Sequence, residues 1–96
     1  MFPNKKRGNN MEPKIVGKRV KKVIEKNNIS IKELASKLEI SEEELIKKLE
    51  GEEEFFVSEV IIMTEIFNLD IKTVSQIFFS EETDEEKEEN EKKMKL

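Results

Sequence analysis

SIKELASKLEISEEELIKKLEG, residues 30–51, holds two helix beginnings eleven residues apart. Ser30 with Glu33, and Ser41 with Glu44, each form the S-x-x-E capping box, in which the serine oxygen accepts the N3 amide and the glutamate reaches back. Ile29 with Leu34, and Ile40 with Leu45, stand at the spacing of a hydrophobic staple. The stretch therefore predicts one helix over 31–38, burying Ile31, Leu34, Ala35 and Leu38. A second is predicted over 42–50, burying Leu45 and Leu49 with Ile46 beside them. Only Glu39 and Ile40 separate Leu38 from the cap Ser41, so the two helices are joined by a tight turn.

Upstream, Val16, Val20, Val23 and Ile24 make one helical face over 15–28, and Lys18, Arg19, Lys21, Lys22 and Lys26 occupy the rest. Asn27 and Asn28 supply a stop, because asparagine tolerates left-handed and turn conformations. Downstream, a fourth helix is predicted over 58–67 with Val60, Ile61 and Met63, and a fifth over 71–79 with Val74, Ile77 and Phe78. Leu69 and Val74 repeat the staple spacing around Asp70. No strand-like alternation competes, and no internal repeat is visible. The expectation is an all-α, compact five-helix bundle over residues 15–79.

Residues 1–14 contain Pro3, Gly8, Pro13 and three asparagines but few apolar groups, so they read as a flexible basic arm. Residues 80–96 read as a charged tail, disordered or an exposed helix, with Glu88 and Lys92, Glu89 and Lys93, and Glu91 and Lys95 paired at i, i+4. Charge is unevenly spread. Residues 1–22 hold eight Lys or Arg against the single Glu12, residues 23–80 hold thirteen acids against six bases, and residues 81–96 hold eight against four. A basic front joins an acidic body and an acidic tail.

The chain has neither Cys nor His, which removes thiol nucleophiles, disulfides and the usual zinc ligands together. There is no phosphate-cradling glycine loop, and the paired glutamates lie in charge-rich, solvated contexts. No enzyme, cofactor, metal site or small-molecule substrate is expected. No apolar run reaches the roughly 18 residues of a membrane span, and residues 1–14 lack the apolar centre of a secretory signal. A cytoplasmic protein is the expectation.

The pair IKELASKL and EEELIKKLEG, joined by EIS, resembles the helix-turn-helix of the Cro and phage-repressor (XRE-like) family. GEEEFFVSEVIIMTEIFNLDIKTVSQIFF, residues 51–79, is similar to the fourth and fifth helices of small phage-type regulators. Ala35 stands where that family keeps a small residue so that two helices cross closely. The turn departs from the family pattern, with Glu39 where the relatives use a left-handed glycine, a difference of about 1 kcal/mol.

The resemblance also implies where DNA would be met, since in this family the start of the third helix enters the major groove and the following loop rests on phosphates. The matching positions are Ser41, Glu42, Glu43 and Lys47, then Glu52, Glu53 and Glu54. With Glu44 beside them, six glutamates surround one docking surface. Phosphate binding depends on basic groups that release counterions, and carboxylates oppose it. One glutamate can accept from a cytosine amino group, but six in a cluster are poor base readers.

Two functions compete. In the first, a phage- or mobile-element-type regulator uses Glu42, Glu43, Glu44, Glu52, Glu53 and Glu54 to bind and modulate a basic DNA-acting protein, such as a repressor, recombinase or sigma-like factor. In the second, a transcriptional regulator binds duplex DNA through Lys5, Lys6, Arg7, Lys18 and Arg19, with Ser41, Lys47 and Lys48 on the reading helix. A homodimer is also expected, because Ile62, Met63, Ile66, Phe67, Phe78 and Phe79 wrap more than one face, some closing the core and the surplus forming a dimer seam.

Overall fold

A computed structural model of the chain describes residues 12–86. It is all-α, with no strand among the described residues, and its helices are α1 (Pro13–Lys26), α2 (Ile31–Leu38), α3 (Glu42–Leu49), α4 (Val57–Ile66) and α5 (Ile71–Phe78). Each predicted helix is present with ends within two residues. α1 begins earliest relative to expectation because Pro13 sits in its first turn, where a missing N–H costs nothing and the fixed φ suits a helix. α4 begins one residue before the predicted Ser58. There Phe56 takes the cap position and its backbone N–H donates to Glu59 Oε1 at 2.8 Å.

The serine half of each predicted box forms, while neither the Glu33 nor the Glu44 carboxylate returns a bond to its cap amide. Ser30 Oγ accepts from the Glu33 amide at 2.9 Å and Ser41 Oγ from the Glu44 amide at 3.0 Å. Asp70 does the same for α5, accepting from the Thr73 amide at 2.8 Å. That bond holds the Asp70 carboxyl below its usual range.

Helix ends repeat one device. Asn28, Glu39, Gly51 and Asn68 adopt φ of 56°, 62°, 84° and 55°. Each time the amide of the next residue reaches back five positions to a carbonyl, Ile29 to Ile24, Ile40 to Ala35, Glu52 to Lys47 and Leu69 to Thr64. Three of these ends run straight into the next cap as N-I-S, E-I-S and N-L-D, so one apolar residue closes one helix and staples the following one. Residues 28–32, NISIK, and 68–72, NLDIK, are thus a local repeat of turn chemistry, where the sequence alone showed no repeat.

α1 packs chiefly on α3 and also on α5, while α2 packs on α3 and α4. Val16, Val20 and Ile24 from α1 meet Leu34 and Leu38, Leu45 and Leu49, Met63 and Phe67, and Ile77 and Phe78 in one core. Burying each such side chain is worth about 1.5–3 kcal/mol. The α1 and α3 backbones touch at Gly17, where an added Cβ would collide with the Leu49 carbonyl.

Burial corrects several apolar assignments. Of the apolar groups shared between core and dimer seam in the sequence reading, Met63, Phe67 and Phe78 belong to the core. Ile46, expected beside the core, is 47% exposed, and Ile61 and Phe79 are also exposed. α4 is apolar nearly all round, so periodicity alone does not say which of its sides faces inward.

Candidate interaction surface

Eight-residue α3 divides cleanly into two sides. Leu45, Lys48 and Leu49 face inward, while Glu42, Glu43, Ile46, Lys47 and the capping residue Glu50 are exposed at i, i+1, i+4, i+5 and i+8, one continuous stripe. Glu44 is half-buried, next to the cap it serves. Ser41 is exposed, and its hydroxyl oxygen accepts the cap bond from the Glu44 amide.

Lys48, placed by sequence among the DNA contacts, is instead wholly inside the protein. Its ammonium lies 3.1 Å from Glu59 Oε1 and donates to the Glu54 carbonyl at 3.0 Å. It also stands 4.1 Å from the centre of the Phe56 ring, within cation–π range. Glu59 is equally buried and is satisfied by Lys48 and by the Phe56 amide. The pair ties α3 to the start of α4, and it fixes the intervening loop through Glu54.

Arg19, the other buried cation, is also corrected from its predicted DNA role. Its Nη1 donates to the carbonyls of Gln76, Ile77 and Ser80 at 2.7, 3.1 and 2.8 Å. Nη2 donates to the Glu81 carbonyl and, with Nε, makes a two-pronged contact with the Glu86 carboxylate, all at 2.8 Å. A cation at a helix C-terminus satisfies its last carbonyls and its negative dipole end. Glu86 answers the field of Arg19, whose hydrogen bond pulls its carboxyl down to about 2.

The start of the tail is therefore fastened. Thr83 and Glu86 form a reciprocal capping box, the Thr83 amide donating to Glu86 Oε1 at 2.9 Å and the Glu86 amide to Thr83 Oγ1 at 3.2 Å, as residues 84–86 turn into helical geometry. The T-x-x-E spacing of residues 83–86 carries the same signal as Ser30 and Ser41.

Of the remaining predicted DNA contacts, Lys47 is exposed and Lys18 half-buried. Lys5, Lys6 and Arg7 lie outside the described residues. The acidic loop is exposed at Glu52, Glu53 and Glu54. It leaves α3 through Gly51, whose positive φ and close approach to Lys14 of α1 exclude a side chain. One surface ion pair, Lys21 Nζ to Glu50 Oε2 at 3.2 Å, borders the α3 stripe from α1. Sequence reading missed Ile46 as an exposed apolar group at the centre of that stripe. No family model, curated protein or solved structure matches this chain.

Among the described residues, no helix is long and apolar enough to cross a membrane.

Proposed function

We propose that the protein is a small regulator of phage or mobile-element type, built on a helix-turn-helix scaffold, whose acidic face binds and modulates a basic DNA-acting protein. The observation that carries this reading is the exposed stripe of α3, where Glu42, Glu43 and Glu50 flank Ile46 and Lys47 while Lys48 is withdrawn into the core. A surface meant for phosphates needs its cations in solvent. Here two of the cations assigned to DNA, Arg19 and Lys48, are committed to internal partners.

An exposed apolar side chain ringed by carboxylates suits a protein with a basic surface, with charge guiding encounter and Ile46 supplying contact area. The helix-turn-helix resemblance supports the regulatory setting, since the face concerned is the one a DNA-binding relative would present to the groove.

Two measurements test the proposal together. Fluorescence anisotropy on random duplex DNA, over a salt series, should give no binding beyond weak association for the full chain. Affinity capture from nuclease-treated extract of the source cell should retain a basic DNA-acting protein that the E42K/E43K/E52K/E53K variant loses. Tight DNA binding with a steep salt slope, abolished by K5Q/K6Q/R7Q, would instead establish the DNA-binding alternative.

A further inference from the structure

The acidic loop borders an apolar cleft. Glu53 and Glu54 stand on its lip, and its walls come from Pro13 and Val16 of α1, Val57 and Ile61 of α4, and Phe79 after α5. Phe55 and Phe78 close the cleft from within, their rings meeting edge to face with centroids 6.3 Å apart. Its volume is about 110 Å³, smaller than the roughly 150 Å³ that holds a benzene ring and suited to one aliphatic side chain. Val57, Ile61 and Phe79 are 76%, 55% and 46% exposed, an apolar rim that the fold leaves uncovered.

The lip is held in place before any partner arrives. Lys48 of α3 donates to the Glu54 carbonyl and pairs with Glu59 at the start of α4, so the loop bearing Glu53 and Glu54 is tied back to α3 where it enters α4. A pinned loop loses little freedom on binding.

We infer that this cleft is the anchoring point for a basic segment of the partner protein, which inserts one large aliphatic side chain between α1, α4 and α5 and sets Lys or Arg on Glu53 and Glu54. The inference rests on the acidic-face reading above and names the partner's chemistry. Charge complementarity selects the occupant. Nucleic acid would be repelled by the lip and would find no use for the apolar floor. A second copy docked by two-fold symmetry would bring the same acidic lip near its own image. A basic segment with an aliphatic anchor satisfies both parts at once.

The test uses the isotopically labelled full chain and two synthetic peptides of lysine and alanine, equal in length and charge, one carrying a central leucine. Titrations followed by NMR should show the leucine peptide binding at least tenfold more tightly, with shifts concentrated at Val57, Ile61 and Phe79. I61E should erase that preference while leaving the weaker, salt-sensitive association of both peptides unchanged. Ile61 is exposed, and the variant's own amide spectrum verifies that it folds.

Equal affinity of the two peptides, with shifts only at residues 42–44 and 52–54, would overturn the cleft assignment and leave the acidic face standing. Failure of both peptides to bind would remove the two readings together. Cleft shifts that depend on protein concentration without peptide, and vanish in I61E, would give the site to a second copy. Cleft shifts produced by K5E/K6E/R7E alone would give it to this chain's own basic segment. Either result overturns the inference.

Discussion

Lys48 Nζ and Glu59 Oε1 lie 3.1 Å apart with both side chains in the core, so α3 is joined to α4 by a buried ion pair. Removing one member of such a pair strands the other charge in a low-dielectric site, at a cost of about 3–5 kcal/mol. K48A and E59A should each lose that much in urea denaturation. The double change K48M/E59L removes both charges and keeps volume, and it should recover most of the loss. If K48A proves neutral, the pair does not hold the loop.

The second buried cation gives a pH dependence with a definite sign. Glu86 is held at about 2, below the value near 4.5 of an unfolded glutamate. A depressed folded value means the stabilisation is complete above the unfolded value and is lost as pH falls from about 4.5 toward about 2. The full span corresponds to about 3 kcal/mol. E86Q should therefore be less stable than the parent at pH 6 by up to that amount, and the gap should close by pH 2. Equal stability of E86Q and the parent at pH 6 would show that Arg19 is held by the carbonyls of residues 76–81 alone.

Gly17 shows why a helical glycine is not always a weak point. Replacing glycine by alanine inside a helix ordinarily gains about 1 kcal/mol. At Gly17 the new methyl would meet the Leu49 carbonyl, which is backbone and cannot rotate away. G17A should lower stability by about 1–3 kcal/mol, as overpacking does, and move α1 off α3. Thermal unfolding checks the sign, and a stabilised variant would contradict the close approach.

How much of this was legible in the sequence depended on the range of the interaction. Ser30, Ser41 and Asp70 act on amides three residues away, so their spacing revealed both helices of the central pair and the start of α5. Arg19 and Lys48 act on groups far along the chain or on another helix, and a cation in an amphipathic stretch reads by default as solvated. A signal was nevertheless present. Val16, Arg19, Val20 and Val23 follow i, i+3, i+4, i+7, and Leu45, Lys48 and Leu49 follow i, i+3, i+4, so each cation sits on its own helix's apolar stripe. The exposed Ile46 and the cleft beside Glu53 were not legible, because they depend on how the helices pack and α4 offers no clear polar side.

Glu39 occupies the left-handed turn between α2 and α3 with φ 62° and ψ 39°. A side chain there costs about 1 kcal/mol relative to glycine. E39G should therefore raise stability despite the added freedom of its unfolded chain, by about 0.5 kcal/mol or more. E39N should fall between the two. Chemical denaturation of the three proteins gives the order, and a destabilised E39G would mean that the glutamate side chain makes its own contribution to the turn.

Lys47 is the basic residue that α3 still presents to solvent, which makes it the sharpest discriminator between the two functions. If α3 read DNA, K47E would remove a phosphate or base contact and reduce the salt slope of DNA binding by about 1. If α3 docks on a basic protein, K47E removes the like charge from an otherwise acidic stripe and should strengthen association several-fold at low salt, with the gain fading as salt screens it. The captured partner's affinity for the parent and for K47E, measured at two ionic strengths, separates the two outcomes. Weakened partner binding in K47E would show that the stripe is not used as an acidic surface.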